Sequence, residues 1–388
     1  MNESNFSIFS WSFNDSSTKP LLTLQDLNDE EVMRRLPSLI YMAVLIVVGV
    51  PGNLSVLVIF YRYYKETTYR TFVLALASVD LVACTVCMPF EVIETRYQYT
   101  FYAVTICKLF RTNNIVISVS SIFILICLSA DRYRHVCNPL KRQMTVKTAK
   151  IACVVSALAA VMVAWPNFLF SGTRHVELRS NLTGIDCSMS DEYRKSKLPF
   201  YHSALLLLIF IIAILTIIIL YILIGAKVWK HSNFRKAFQN SRSASYSTSS
   251  TSVGGSKRSK HQDCKDQQYP LQQIEIKQSD QNKGSNAASM KKKDNSNSSP
   301  KETQQTSRIT KVAFAISVLF ILSYLPHLIL TIMTAIKGSF IAKPGPVVSA
   351  ILPIVTRSVF INSVGNPFIY GFIDKRFWNF LKKMLTCK

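Results

Sequence analysis

Six polar residues stand inside otherwise apolar stretches of the chain, and their side chains are the first candidates for chemistry. They are Asn53, Asp80, Ser121, Asn362, Ser363 and Asn366. At a similar depth in one fold, a single carboxylate and several neutral oxygens would suit a small hard cation or a cluster of water molecules. Taken singly, each residue is also explained as a hydrogen bond between helices, worth under about 1 kcal/mol. The sequence leaves both interpretations open.

A second candidate is the neighbouring pair Asp131 and Arg132, which closes an apolar stretch. Residues 113–130 carry no charge, and two opposite charges follow them at once. A long arginine side chain at such a boundary can keep its head group at the membrane surface. The sequence alone therefore explains the pair as an ion pair at the interface.

Long apolar runs must position these residues. Seven runs are close to the roughly 20 residues that cross a bilayer, and only helices or closed barrels satisfy their backbone polar groups in lipid. Because runs of this length are helical, the sequence predicts an all-α membrane protein, a bundle of seven transmembrane helices. Numbered as segments one to seven, the runs cover residues 38–61, 71–93, 112–130, 151–170, 199–226, 309–336 and 347–373.

The net charge of +23 follows the same topology. Basic residues cluster after segments one and three, before segment six and in the C-terminal tail, whereas the N-terminal tail is acidic. Basic loops stay in the cytoplasm, so we expect an extracellular N-terminus, with a secondary attraction of the basic side to anionic membrane lipid. This distribution argues against a nucleic-acid partner. The N-terminus lacks the pattern of a cleavable signal peptide, which leaves segment one as the insertion signal.

Five regions follow from these patterns. They are an extracellular tail (1–36), helices one to five (37–230), a third cytoplasmic loop (231–306), helices six and seven (307–373), and a C-terminal amphipathic helix with tail (374–388). The third loop is rich in Ser, Lys, Gln and Asn and is predicted to be disordered and to receive phosphate. We predict glycosylation at Asn2, Asn5, Asn14 and Asn181, and lipidation at Cys387.

Four short motifs now carry a resemblance to a known family. They are GN at 52–53, LAxxD at 76–80, DRY at 131–133 and NPFIY at 366–370. In this order they resemble the rhodopsin-like (class A) G-protein-coupled receptors, over nearly all the chain outside the tails and the long loop. The resemblance implies a plasma-membrane receptor that activates a heterotrimeric G protein, with arrestin and receptor kinases acting through the third loop. It implies no cofactor other than an allosteric sodium ion.

The resemblance also assigns roles to individual residues. In this family Asp131 holds Arg132 at rest, and Arg132 turns toward the G protein on activation. The implied activation switches are Asp131, Arg132, Tyr133, Tyr221, Phe320, Tyr324, Pro326, Asn366, Pro367 and Tyr370. The implied sodium site consists of Asp80, Ser121, Asn362 and Asn366, and the implied disulfide joins Cys107 to Cys187. The chain departs from the family at Tyr324, where a tryptophan is usual.

The type of ligand is narrowed by two substitutions relative to family members. Asn114 stands where amine receptors carry an aspartate, and the outer half of segment seven has Arg357 but no lysine for retinal. The candidate ligand residues are Glu91, Glu94, Asn113, Asn114, Asp186, His327 and Arg357. This mixture of acids and bases suits a neuropeptide with a charged or amidated end.

Other classes of membrane protein fit less well. A transporter would show internal repeats, and an enzyme would show a catalytic dyad or an HExxH pair; neither pattern occurs in the sequence. The prediction is therefore a receptor and not an enzyme. A receptor for a lipid or other small molecule, a channel formed by several copies, and a decoy receptor remain as alternatives, although the intact DRY and NPFIY motifs argue against a decoy.

Overall fold

The structure is a computed structural model that describes residues 23–178, 182–248, 300–337 and 346–386. Several predicted features lie outside these residues: Asn2, Asn5, Asn14, Asn181, Cys387 and the middle of the third loop, 249–299. The chain divides into two compact units, one formed by Met1–Lys227 with Gln305–Lys388 and the other by Val228–Gln304. The candidate sites described below belong to the first unit.

Helices account for all seven apolar segments. In chain order they are α1 (Leu24–Arg34), α2 (Leu36–Tyr63), α3 (Thr68–Val82), a π-helical turn (Ala83–Cys87), α4 (Met88–Arg96), α5 (Val104–Cys137), α6 (Val146–Ala164), α7 (Pro166–Phe170), α8 (Leu198–Thr248), α9 (Pro300–Lys337), α10 (Pro346–Thr356), a 3₁₀ turn (Arg357–Val359), α11 (Phe360–Ile373) and α12 (Lys375–Leu385). Within the described residues, six helical stretches, those of segments one to six, are long and apolar enough to cross a membrane. Segment seven comprises α10, the 3₁₀ turn and α11.

The outer surface of the bundle is apolar, as a lipid environment requires. On α6, Val154, Leu158 and Met162 are 59%, 61% and 68% exposed. Residues four apart lie on the same face of a helix, so these side chains form one stripe. Such a stripe is unfavourable in water and favourable against hydrocarbon.

The interior is packed around α5, which contacts α3 and α6. Phe72 of α3, Leu125 of α5, Phe320 of α9 and Tyr370 of α11 belong to one buried cluster. These residues come from segments two, three, six and seven, so a single core joins the helices that carry the predicted switches.

A β-hairpin between α7 and α8 departs from the all-α prediction. Its strands, β1 (Ser171–Glu177) and β2 (Thr183–Met189), are antiparallel, with Arg174 opposite Asp186 and Thr173 opposite Cys187. A disulfide joins Cys187 to Cys107, 80 residues earlier in the chain, and fixes β2 to the start of α5. This anchor and the cross-strand charge pair stabilise a hairpin that local sequence patterns did not reveal.

Helical structure also occurs in the predicted N-terminal tail and at both ends of the predicted third loop. Helix α1 lies within the expected tail (1–36), where Thr23 and Asp26 exchange hydrogen bonds as a capping box. The two hydrogen bonds from Thr23 lower the pKa of Asp26. At the third loop, α8 continues to Thr248 and α9 begins at Pro300, so both flanks of 231–306 are helical. Lengthening an existing helix needs no new nucleus, which favours such extensions.

Candidate functional site

A cavity of about 770 Å³ opens at the end of the bundle that carries the disulfide. Its walls come from all of the segments two to seven and from the hairpin, and its volume is within the usual range for ligand pockets. Six of the seven predicted ligand residues line it: Glu91, Glu94, Asn114, Asp186, His327 and Arg357. The sequence-based choice of residues therefore converges on one space.

Asn113 is the exception, because it does not line the cavity. Its side-chain amide instead donates to the sulfur of Cys87 at 3.2 Å, beside the π-helical turn. The next residue, Asn114, donates to Glu91 Oε1 at 3.2 Å. Consecutive helical residues point about 100° apart, so both asparagines of α5 cannot face the cavity.

Arg357 and Glu91 form an ion pair between segments seven and two. Arg357 Nε lies 3.0 Å from Glu91 Oε2, and its terminal nitrogens donate to Ser38 and Thr95 at 3.3 and 3.2 Å. The two charged side chains are only 12% and 14% exposed. Charges at this depth persist when they are paired and hydrogen-bonded, and this pair links segments one, two and seven.

Two more ion pairs contain arginines that the sequence analysis did not select. Arg111 Nη2 donates to Glu94 Oε1 at 2.5 Å and to the carbonyl of Cys187 at 2.7 Å. Arg174 contacts Asp186 through two hydrogen bonds of 3.1 and 2.5 Å. A spacing of four residues from Cys107 could have placed Arg111 on the disulfide side of α5. Only the strand register could have placed Arg174.

At the mouth of the cavity, Arg35 was also missed. Its Nε lies 2.5 Å from Glu31 Oε1 of α1, and its Nη1 donates to Gln98 at 2.9 Å. Helix α1 is itself held on the neighbouring loop by Asn28, which donates to Thr100 and accepts from the backbone of Tyr99, both at 2.9 Å. A helix that the sequence analysis assigned to a tail thus supplies part of the cavity rim.

Aromatic residues form the floor of the cavity. Tyr324 stacks on Phe320 with ring centroids 4.3 Å apart and on Phe210 at 5.3 Å. Phe320 is fully buried below the cavity, whereas Tyr324 and Phe210 line it. Tyr324 therefore connects the cavity to the buried core around α9.

Pro326 follows this stack inside α9. Proline has no backbone N–H to offer the preceding turn, which leaves the helix open to a kink. Next to it, Ser358 of the 3₁₀ turn donates to the carbonyl of Ser323 at 2.7 Å. His327 Nδ1 lies 3.2 Å from the carbonyl of Thr356 and must carry the hydrogen, since a carbonyl only accepts. These bonds tie α9 to segment seven around the proline.

The buried polar set gathers deeper in the bundle. Asn366 Nδ2 donates to Asp80 Oδ2 at 2.7 Å, and Asn53 Nδ2 donates to the carbonyl of Ser363 at 2.8 Å. Four buried oxygens have no donor among the described residues: Asp80 Oδ1, Asn53 Oδ1, Asn362 Oδ1 and Asn366 Oδ1. Ser121 is also buried. Unpartnered buried oxygens, one of them from a carboxylate, are the ligand type that a hard cation such as sodium prefers.

At the opposite end from the disulfide, Asp131 and Arg132 form a buried ion pair. Thr68 of α3 donates to Asp131 Oδ2 at 3.2 Å, and His135 Nδ1 approaches the backbone carbonyl of Asp131 at 2.9 Å. Tyr133 follows as a half-buried residue. The pair is therefore more enclosed than an interfacial ion pair would be.

The predicted tyrosine switches lie near this end. Tyr221 of α8 accepts a hydrogen bond from Ser317 of α9 at 3.4 Å. Tyr370 packs edge-on against Phe60 at 5.3 Å, and its buried hydroxyl has no partner among the described residues. Next to Asn366, Pro367 packs on the GN motif of α2, where a Cβ at Gly52 would lie 3.1 Å from Pro367 Cγ.

Asp374, between α11 and α12, joins three helices at the same end. It is 3% exposed and accepts from the backbone N–H groups of Arg376 and Phe377 as the cap of α12. Tyr64, at the end of α2, donates to its Oδ2 at 2.8 Å, and Arg308 Nη1 of α9 lies 3.3 Å from its Oδ1. Burial and the nearby Asp374 carboxylate raise the pKa of Tyr64.

Comparison with known proteins places this arrangement among receptors. A family model described as "7 transmembrane receptor (rhodopsin family)" matches residues 52–370. The type-1 angiotensin II receptor B of Rattus norvegicus is 24% identical over 351 residues, covering 88% of this chain and 79% of that protein. The cholecystokinin receptor type A of Homo sapiens is 27% identical over 350 residues, covering 86% and 77%.

Proposed function

The chain belongs to the rhodopsin family of seven-transmembrane receptors, and we propose that it binds an extracellular neuropeptide and activates a heterotrimeric G protein. The observation that carries the proposal is the wide cavity at the disulfide end, lined by three carboxylates and four arginines. Charged groups of both signs suit the polar backbone and side chains of a peptide. The similar proteins, receptors for angiotensin II and for cholecystokinin, support the same class of ligand.

The proposal includes an orientation in the plasma membrane. The chain is a multi-pass membrane protein, and its basic residues concentrate on the side of Arg132, α12 and the third loop. Basic loops favour the cytoplasm, so the cavity would open to the outside. This placement also puts the Cys107–Cys187 disulfide on the oxidising side.

Activation would act through the contacts at the Arg132 end. In the resting arrangement, Asp131 neutralises Arg132 and the core holds α9 through Phe320. A ligand favours the active state only by binding it better, and a shift from mostly inactive to mostly active needs about 3–5 kcal/mol of differential binding. The stack of Tyr324 on Phe320 next to the Pro326 hinge gives the ligand a mechanical path to α9. Outward movement of α9 would then free Arg132 for the G protein.

A sodium ion belongs to the proposal as an allosteric ligand of the resting state. Asp80 would supply the charge, with Ser121, Asn362 and Asn366 supplying neutral oxygens. Among the described residues no group of three His, Cys, Asp or Glu side chains can hold a metal ion. A cation in the bundle would therefore depend on neutral oxygens, for which sodium is better suited than a transition metal.

Further partners would bind on the cytoplasmic side. The serine-rich third loop would serve receptor kinases and arrestin, as phosphate reverses its positive charge. Helix α12 would lie on membrane lipid: Phe377 is buried against the bundle, and Lys382 packs over the Trp378 ring at 5.3 Å.

The test is a G-protein-dissociation reporter in cells that express the receptor, challenged with a neuropeptide library. We expect a peptide response that Arg132→Ala abolishes at unchanged surface expression. Arg134→Ala is the matched control, because Arg134 is an exposed arginine of the same helix that donates to the Arg142 carbonyl. A response to lipids or amines instead of peptides would overturn the peptide assignment. Substrate uptake without any G-protein response would favour a transporter.

A further inference from the structure

The ion pairs of the cavity are asymmetric in their exposure. The side chain of Arg111 is 37% exposed and that of its partner Glu94 is 10% exposed. Arg174 and Asp186 are 40% and 7% exposed. All four residues line the cavity, and in both pairs the positive side chain is the more exposed one.

The arginines of these pairs also keep hydrogen-bond donors that the described residues leave unused, whereas the oxygens of their carboxylate partners are occupied or enclosed. Arg111 and Arg174 each use some N–H groups on their carboxylate and keep an Nη without a partner among the described residues. Both oxygens of Asp186 are occupied, by Arg174 and Ser188. Glu94 Oε2 is unpartnered, but it is enclosed and has no accessible surface. An entering molecule would therefore meet N–H donors with positive charge rather than carboxylate oxygens.

Arg35 at the rim repeats the pattern. Its side chain is 26% exposed, whereas Glu31 is 8% exposed and has both oxygens occupied, by Arg35 and Arg34. By contrast, the side chains of the deeper pair, Arg357 and Glu91, are exposed to a similar small degree, 12% and 14%. Three of the four arginines that line the cavity are thus available to a ligand.

We propose that the cavity recognises an oxyanion of its peptide ligand, with Arg111 and Arg174 as the specificity-determining residues. The group is either a free C-terminal carboxylate or the side chain of an acidic residue. This inference rests on the proposed function, that the ligand is a peptide, and narrows the broader expectation of a charged or amidated end. Guanidinium groups bind carboxylates with charge-assisted hydrogen bonds about twice as strong as those to a neutral amide.

The first experiment uses four sets of synthetic peptides in the reporter cells. They end in a carboxylate or a carboxamide, and each is made with and without acidic side chains. We expect the amidated set without acidic residues to be the weakest. If only peptides that end in a carboxylate activate the receptor, the recognised group is the C-terminal carboxylate. If acidic residues restore the activity of amidated peptides, the recognised group is the acidic side chain. If amidated peptides without acidic residues are the most active of the four sets, the oxyanion proposal is wrong, and the proposal of a peptide receptor is still supported.

Substitutions in the cavity test whether Arg111 and Arg174 cause the preference for acidic peptides. Removing Arg174 alone would strand the buried charge of Asp186, so the paired variants Arg174→Gln with Asp186→Asn and Arg111→Gln with Glu94→Gln are preferred. Each pair keeps the net charge and the hydrogen-bonding shape. We expect about tenfold or greater loss of potency for acidic peptides. Arg96→Gln is the control, because Arg96 pairs with Asp29 and lies outside the cavity. Equal potency in the paired variants would contradict the role of the arginines.

A second measurement needs no known agonist. Purified receptor in zwitterionic nanodiscs is heated with oligoglutamate or oligolysine at low salt. We expect oligoglutamate to raise the melting temperature of the wild type, and the combined four-site variant to lose this shift although its net charge is unchanged. Equal stabilisation by oligolysine, no stabilisation, or a shift retained in the variant would each refute oxyanion recognition. If every peptide set is silent in cells, the proposed function fails, and this assay still decides the inference.

Discussion

Replacing Arg308 by glutamine should raise agonist-free signalling. Arg308 of α9 and Asp374 form an ion pair at 3.3 Å, in which the side chains are 26% and 4% exposed. Asp374 is fixed by other bonds, to Tyr64 and to the backbone at the start of α12. Outward movement of α9 would carry Arg308 away from a partner that cannot follow. The pair therefore stabilises the resting arrangement.

The size of the effect follows from the contact. The Arg308 side chain is 26% exposed, so solvent partly screens the ion pair, and we expect a contribution of about 1 kcal/mol. If the active state lacks this ion pair, Arg308→Gln shifts the equilibrium between resting and active states by about fivefold. A receptor that is about 1% active without ligand would thereby become about 5% active, which is a measurable rise in basal activity.

The assay is basal G-protein dissociation without ligand, normalised to surface expression. Arg308→Lys is the first control and should stay close to wild type, because it keeps the charge. Asp374→Asn is the second: asparagine still caps α12, so this variant should resemble Arg308→Gln and not destabilise the fold. Unchanged basal activity in Arg308→Gln, with a lower melting temperature, would mean that the pair supports the structure only and would refute the reasoning.

Three further changes have defined outcomes. Cys107→Ser should cost about 2–4 kcal/mol of stability, measured as a lower melting temperature that reductant no longer affects, because the disulfide closes a long loop. Asp80→Asn should abolish any stabilisation of purified receptor by sodium over potassium chloride; a retained sodium effect would contradict the site. Asn28→Ala should loosen α1, seen as faster hydrogen exchange of residues 24–34, because Asn28 is fully buried and makes two hydrogen bonds of 2.9 Å; unchanged exchange would contradict the docking.

The helical segments and the family could be predicted from sequence because both depend on local signals. Apolar runs of membrane length are read directly from the chain, and the match of the family model to residues 52–370 confirms the resemblance carried by four motifs. The approach of Asn366 to Asp80, two residues 286 positions apart, stays within the set that the sequence analysis selected. Residue type and position along the apolar segments were therefore sufficient to select these two residues.

Features that depend on pairing across distant parts of the chain could not be predicted. Arg174 reaches Asp186 only because the hairpin register places them opposite each other, and nothing local fixes that register. Asn113 and Asn114 are chemically identical, so only the rotation of α5 decides which one faces the cavity. Helix α1 is a different case, since Thr23 and Asp26 carry a capping-box pattern that the sequence analysis did not use.

The missed arginines change the meaning of the acids that sequence analysis selected. Read alone, Glu94 and Asp186 predict attraction of a cationic ligand. Buried carboxylates without partners are costly, however, and each of these two is paired with an arginine whose side chain is more exposed. Because arginine is long and has several donors, it can neutralise the acid behind it and still offer an N–H in front. The acids thus position the arginines, and the charge that a ligand meets is opposite in sign to the one that the list of acids predicts.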